Sequence, residues 1–191
     1  MKFMVMFPLI LKKSYNEEDF LKPSNPYSAS KAAADMLVLS YYRTYGLNIT
    51  ISRSTNNYGP KQSTRALIPL VIKKILCNEK IPVFGNGENV RDWLYVYDHV
   101  NAIDLILHNG TIGEIYNISG NSKKKNIDVI RNILKLLNSS EELISYVIDR
   151  PGHDLKYSIS SKKIEKELGW SRKYNFDKGI KKTIDWFKNN K

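Results

Sequence analysis

A tyrosine and a lysine four residues apart form the most informative pair in the 191-residue sequence. Tyr27 and Lys31 belong to the segment Tyr-Ser-Ala-Ser-Lys, and residues four apart on a helix lie on the same face. A nearby ammonium group favours the phenolate and lowers the pKa of a tyrosine from its ordinary value of about 10. Such a tyrosine can act as an acid or base near neutral pH. On spacing alone, the alternative of two unrelated surface residues stays open.

A helix is predicted around this pair, in residues 26–45, because alanines and other helix formers fill it. Ser24 or Asn25 can cap its start, and Gly46 can end it. The β-branched run in residues 47–55 then predicts a buried strand. The tyrosine helix is therefore expected to pack beside a strand.

Helices and strands alternate along the rest of the chain. Asp98 is expected to cap one helix, Asn126 or Asp128 to open the next, and residues 56–60 to form a loop. The alternation predicts an α/β fold with at least partly parallel strands. Beyond the tyrosine helix and its strand, strands are predicted in 81–85, 92–96, 114–120 and 145–149. Helices are predicted in 67–76, 99–109, 127–137 and 176–190, and another runs from Ser160 or Ser161 to Leu168.

The net charge of +11 suggests nucleic-acid binding, but the charge divides almost evenly between the two halves of the chain. There is no basic tail or basic domain, so we expect no nucleic-acid partner. No apolar run reaches the roughly 20 residues that span a bilayer, so we expect no membrane partner. The single Cys77 excludes a disulfide scaffold and fits a reducing, cytoplasmic compartment. The three histidines lack the spacing of metal ligands, so no metal is expected.

Further motifs follow the tyrosine helix in a fixed order. With Pro-Tyr-Ser-Ala-Ser-Lys they resemble the extended short-chain dehydrogenase/reductases of the NAD-dependent epimerase/dehydratase family, and within it the 4,6-dehydratases of dTDP-glucose. The resemblance covers about residues 14–191. The motifs are SRSTNNYGP, VFGNGENVRDWLYVYDHVNAI, IYNISG and DRPGHDLKYSISSKKIEKELGW.

The resemblance implies a Rossmann-type domain that binds NAD and a smaller C-terminal lobe that binds a nucleotide-diphosphate sugar. Residues 14–60 would be a remnant of the NAD domain, and residues 61–191 mainly the lobe. A homodimer is possible by resemblance. Tyr27 would take the proton of the sugar's C4 hydroxyl while hydride passes to NAD, and Lys31 would hold the nicotinamide ribose. Water would then leave across C5 and C6, and the hydride would return to C6.

The resemblance also implies the remaining contacts. Asn57 would bind the cofactor, and Arg91 would pair with the diphosphate, which suits a planar guanidinium. Phe84 stands where the family commonly has tyrosine, and Ala66 where it often has lysine. The implied substrate contacts are Asn56, Leu67, Pro82, Val83, Phe84, Arg91, Asn126, Arg150 and His153.

The sequence contains no glycine-rich dinucleotide motif and no Thr-Asp-Glu segment, which the family uses for the elimination. One choice of codons for residues 1–5 encodes Asp-Glu-Val-Tyr-Gly in another reading frame. We therefore expect residues 1–13 to be a stretch outside the family, a candidate frameshift product and not a targeting signal. Activity of the chain alone is left open. The alternatives are a remnant that only binds nucleotide sugar, or a related epimerase or decarboxylase.

Overall fold

The computed structural model describes residues 14–149 and 158–190, and the predicted α/β fold is confirmed in them. A single 3₁₀ turn, Glu141–Leu143, completes the regular structure of this part of the chain. The helices are α1 (Pro26–Tyr45), α2 (Leu67–Leu76), α3 (Val96–Asn109), α4 (Asn126–Leu136), α5 (Lys162–Leu168) and α6 (Phe176–Asn189). The strands are β1 (Ile51–Ser54), β2 (Asn56–Tyr58), β3 (Ile81–Phe84), β4 (Val90–Tyr95), β5 (Ile115–Ile118), β6 (Lys123–Lys125) and β7 (Ile144–Val147).

The strands form three small sheets. In the first sheet β1 pairs with β5, and in the third β3 pairs with β7, both in parallel. In the second sheet the central β4 pairs with β2 in parallel and with β6 in antiparallel register, which sets Arg91 opposite Lys124. Two of these strands, β2 and β6, fall where no strand was predicted.

Two apolar clusters hold the elements together. The larger packs α2, α4 and α6 against β2, β3 and β4, and the smaller packs α3 and α5 against β5. Helix α4 contributes apolar side chains at the three- and four-residue spacing of one helix face. Its buried residues are Ile127, Val129, Ile130, Ile133 and Leu134.

Helix α1 begins and ends as predicted but buries none of its 20 residues. Asn25 and Ser28 form a reciprocal capping box at its start, and Gly46 ends it at φ 65°. Asp35 Oδ2 accepts a 2.7 Å hydrogen bond from Arg53 Nε on β1. Near its end, the Tyr42 ring packs on Gly113, whose N–H bonds to Ile49 O ahead of β1. Helix α1 therefore runs antiparallel to β1.

The prediction that Asp98 caps its own helix is wrong. Helix α3 begins at Val96, so Asp98 lies inside its first turn and is buried. Its carboxylate instead accepts the backbone N–H groups of Lys173 (2.9 Å) and Tyr174 (3.0 Å). The side chain therefore ties the segment before α6 to α3, a long-range role that local sequence does not reveal.

The first and second sheets meet at the loop that follows β5. Gly120 lies against β4 so closely that a Cβ there would be 1.9 Å from Trp93 O. Its N–H donates to Thr55 Oγ1 at the end of β1, at 3.2 Å. Only glycine fits at this close contact, which joins the carboxyl ends of β1 and β5 to the second sheet. Within the described ranges, no helix has the length and apolarity needed to cross a membrane.

We predict that Gly120→Ala lowers the free energy of unfolding by about 3 kcal/mol or more, because the new methyl group meets backbone that cannot move aside. The control is Gly46→Ala, which has open space around it and a φ of 65°; it should cost about 1 kcal/mol. Urea denaturation of both variants measures the difference. Equal losses would contradict the tight crossing at Gly120.

A second prediction concerns the buried carboxylate of α3. Asp98→Ala should lower the free energy of unfolding by about 2–4 kcal/mol, because two backbone N–H groups lose their acceptor. Asp104→Ala, at an exposed position on the same helix, should change it by no more than about 0.5 kcal/mol. Thermal or urea denaturation gives the comparison. A similar small effect at both positions would show that Asp98 does not hold the segment before α6.

Candidate cofactor and nucleotide-sugar site

The carboxyl ends of β1 and β5 open toward the second sheet. β1 ends at Ser54, and the chain crosses within two residues into β2, which pairs with β4. Ligands of open α/β sheets bind in the crevice outside the carboxyl ends of parallel strands. The loop residues just after β1 therefore stand at the favoured place for a ligand.

The tyrosine and lysine of α1 lie at the same end of this sheet. Asp35 is level with Arg53, where the two side chains pair. From Asp35 back to Tyr27, eight helical residues span about 12 Å. Because α1 and β1 are antiparallel, Tyr27 and Lys31 lie toward the carboxyl end of β1, with Lys31 one turn of α1 closer to Asp35.

Both side chains of the pair face solvent. Tyr27 is 72% exposed and Lys31 is also exposed. Within the described residues, neither the Tyr27 hydroxyl nor the Lys31 ammonium group has a hydrogen-bond partner. The described part of the chain thus places the pair but does not enclose it.

Two amide side chains lie beside the end of β1. Asn57 Nδ2 donates to Ser54 Oγ (3.1 Å), and Gln62 Nε2 donates to the backbone carbonyl of Asn57 (2.8 Å). The other amide atoms, Asn57 Oδ1 and Gln62 Oε1, are buried and have no partner among the described residues. Two such acceptors suit a ligand that brings N–H or O–H donors. No motif or spacing in the sequence singles out Gln62, whose contact with Asn57 makes it a candidate.

Positive charge collects on the second sheet. Arg91 on β4 is half-buried, and its Nη1 donates to Val90 O (2.9 Å). Lys124 stands directly opposite on β6, and directly paired residues lie on one face of a sheet. Asn126, the first residue of α4, has a buried side-chain oxygen without a partner in the described residues. Two cations beside an amide form a setting that favours an anionic group.

The side chains of the remaining predicted contacts differ in how deeply they are buried. Val83 on β3 is buried in the larger cluster, so its side chain is occupied by core packing. Its neighbours Pro82 and Phe84 are half-buried on the other face of β3. Leu67 begins α2 and packs partly against the larger cluster, whereas Asn56 on β2 is exposed.

The predicted contacts Arg150 and His153 lie outside the described residues.

Two other tyrosines near the second sheet are poor acid/base candidates. Burial raises the pKa of Tyr95 to about 12, and it raises the pKa of Tyr58 well above the ordinary range. The Tyr58 hydroxyl donates to Phe176 O at 3.2 Å. Both phenols stay neutral near pH 7 and serve packing, which leaves Tyr27 as the better-placed tyrosine for proton transfer.

Known proteins resemble nearly the whole chain. The dTDP-glucose 4,6-dehydratase of Escherichia coli is 46% identical over 188 residues, which cover 93% of this chain and 52% of that protein. The dTDP-glucose 4,6-dehydratase of Xanthomonas campestris pv. campestris is 48% identical over 177 residues, or 88% of this chain and 50% of that protein. The chain therefore spans about half the length of these relatives.

Solved structures give the same result. The dTDP-glucose 4,6-dehydratase of Bacillus anthracis in complex with NAD superposes with a TM-score of 0.90 at 45% identity, covering 95% of this chain and 58% of that one. DesIV, the dTDP-glucose 4,6-dehydratase of Streptomyces venezuelae with NAD and TYD bound, gives 0.93 at 40% identity, covering 95% and 56%. The UDP-glucose 4-epimerase of Thermotoga maritima gives 0.87 at 27%, covering 93% and 59%.

These comparisons confirm the predicted resemblance to the extended short-chain dehydrogenase/reductases and the Rossmann-type character of the fold. The protein-family model described as GDP-mannose 4,6 dehydratase matches residues 6–183. Since this match spans most of the sequence, the chain belongs to the GDP-mannose 4,6-dehydratase family.

Proposed function

We propose that this chain supplies the tyrosine–lysine pair and the nucleotide-sugar lobe of an NAD-dependent dTDP-glucose 4,6-dehydratase. The observation that carries the proposal is the position of Tyr27 and Lys31 on α1, toward the carboxyl end of β1. The relatives with this activity in their names share 46–48% identity with the chain, which supports the same reaction class. With one exposed cysteine, we place the protein in the cytoplasm.

NAD fits the residues at the end of β1. The unpartnered oxygens of Asn57 and Gln62 can accept hydrogen bonds from an amide or hydroxyl of the cofactor. Lys31 can donate to the hydroxyls of the nicotinamide ribose. When bound, the cofactor accepts a hydride from the sugar and later returns it.

In this proposal Tyr27 acts as the base of the first step. Its phenolate oxygen takes the proton of the C4 hydroxyl as the C4 hydride leaves, and Lys31 stabilises the phenolate. Elimination of water across C5 and C6 needs a further acid and base. The stretch before Tyr27 contains no Thr-Asp-Glu segment, so no residue of this sequence is assigned to that step.

The second sheet is proposed to bind the nucleotide sugar. Arg91 and Asn126 would hold the diphosphate, with Lys124 adding charge on the same face. This division assigns residues 14–60 to the cofactor side and residues 61–191 mainly to the lobe, although β5 returns to pair with β1. The other proposed substrate contacts are Asn56, Leu67, Pro82, Phe84, Arg150 and His153. The predicted contact Val83 is not among them, because its side chain is buried in the larger cluster.

The exposure of Tyr27 favours a second candidate function for the chain by itself. A phenol that is 72% exposed is not held away from water as a catalytic base usually is. The chain alone would then bind nucleotide sugar through the second sheet without converting it.

We expect the chain to bind dTDP, and Arg91→Gln to weaken that binding at least about tenfold, because a charge-assisted contact to the diphosphate is lost. The matched control is Arg131→Gln on the exposed side of α4, where Arg131 pairs with Glu141. Isothermal titration calorimetry measures each affinity, and thermal melting confirms that both variants fold. Absence of dTDP binding, or an equal effect of the two substitutions, would contradict the proposed lobe function.

Incubation with dTDP-glucose and NAD separates the two candidates. Loss of one water from the sugar nucleotide, detected by mass spectrometry, supports the dehydratase, and Tyr27→Phe should then reduce turnover at least about a hundredfold. Affinity for dTDP should not change in that variant, because Tyr27 lies on α1 and not in the lobe. Intact dTDP binding without turnover supports the binding function instead.

A further inference from the structure

Three tyrosines form an aromatic cluster at the start of α3. The ring centroids of Tyr95 and Tyr97 are 5.6 Å apart, those of Tyr95 and Tyr174 are 4.7 Å apart, and those of Tyr97 and Tyr174 are 6.4 Å apart. Tyr95 is buried, Tyr174 is half-buried and Tyr97 is 55% exposed. The cluster therefore rests on the core at Tyr95 and presents aromatic surface to solvent at Tyr97. We name these three residues the tyrosine platform.

The platform is fixed from below and flanked by a cation. The buried carboxylate of Asp98 accepts the N–H groups of Lys173 and Tyr174, which holds the backbone that carries the Tyr174 ring. On α6, the exposed Lys182 places its Nζ 6.0 Å from the centre of that ring, a cation–π distance. The platform thus combines a positioned aromatic surface with a positive charge.

A cavity of about 410 Å³ adjoins the platform at Tyr174. Three cations line it, Arg172, Lys173 and Lys178, and none of the described residues in its lining is acidic. Arg172 Nη2 is already paired with Glu165 Oε1 at 2.8 Å. Lys173 and Lys178 are exposed and have no ion-pair partner in residues 14–149 and 158–190. Two available ammonium groups in a cavity without carboxylates favour an anionic ligand.

We infer that the tyrosine platform and this cavity form a binding site for a nucleoside phosphate. The base stacks on the exposed ring of Tyr97, and the phosphate enters the cavity between Lys173 and Lys178. Because every base has a π face, stacking on an aromatic side chain accepts any base. The site therefore reads the presence of a ring and a phosphate, and not the identity of the base.

The size of the cavity favours a single nucleotide over a nucleic-acid strand. Its volume lies in the range of about 300–1,000 Å³ that is typical of small-molecule sites. Neither Arg91 nor Asn126, the proposed diphosphate contacts, belongs to its lining. The inference therefore concerns another site and does not rest on the proposed function.

The test titrates ADP and inorganic pyrophosphate by calorimetry into the 191-residue chain with Arg91→Gln, in which the proposed diphosphate contact is removed. We expect ADP to bind more tightly than pyrophosphate, because only ADP brings a ring. Adding Tyr97→Ala should weaken ADP binding at least about fivefold and leave pyrophosphate binding unchanged. Adding Lys178→Gln should weaken binding of both ligands at least about fivefold, because a charge-assisted contact is lost.

Two matched controls should leave the affinity for both ligands unchanged. Tyr146→Ala removes a tyrosine of similar exposure (58%) on β7, and Lys188→Gln removes an exposed lysine in the last turn of α6. Thermal melting checks that each variant folds. If Tyr97→Ala does not fold, Lys178→Gln against Lys188→Gln still tests the cavity, and the difference between ADP and pyrophosphate still tests the stacking.

The inference is wrong if ADP does not bind, if ADP and pyrophosphate bind equally, or if the platform variants behave like their controls. A short thymidine oligonucleotide that binds more than about tenfold tighter than ADP would also overturn it, because the surface would then serve a strand. Binding of dTDP to the chain with intact Arg91 reports on the lobe separately. Loss of ADP binding beside intact dTDP binding would therefore leave the proposed function standing.

Discussion

The contact between the first and second sheets depends on one buried carboxylate. Asp92 on β4 is fully buried, and its oxygens accept hydrogen bonds from Ser119 Oγ (2.5 Å) and Ser122 N (2.6 Å). These bonds hold the loop after β5 against β4, where Gly120 touches the backbone at Trp93. A buried carboxylate left without such donors is costly, so the loop has little freedom to move. The position of the first sheet relative to the lobe follows from this contact.

Buried apolar contacts are distributed unevenly on the two sides of this contact. The lobe buries apolar faces of three helices in one cluster. In contrast, α1 buries no residue, and among the described residues the Asp35–Arg53 ion pair and the packing of Tyr42 on Gly113 tie it to the first sheet. Regions with few buried contacts open at low free-energy cost. The proposed catalytic pair thus lies on the one described α-helix that buries no residue. The residues proposed to hold the diphosphate stand on the best-supported sheet.

The sequence correctly predicted features that depend on residues close together in the chain. The capped start of α1, its end at Gly46 and the apolar face of α4 follow from residue types a few positions apart. Strand β6 was missed because three consecutive lysines have no strand pattern, and it exists through pairing with β4. Asp98 was misassigned because its partners lie 75 and 76 residues away. Of the site, the sequence motifs indicated Tyr27, Lys31 and Asn57, but not the amide of Gln62.

The central claim is that the lobe is well packed by itself, whereas it holds only weakly the helix α1 that bears the proposed catalytic pair. Native-state hydrogen exchange of the 191-residue chain tests it most directly. We predict that amides of α4 and α6 exchange at the rate of global unfolding, while those of α1 exchange at least about a hundredfold faster through local opening. Equal protection of α1 and α4 would contradict the account, because it would show that α1 is already held as firmly as the core of the lobe.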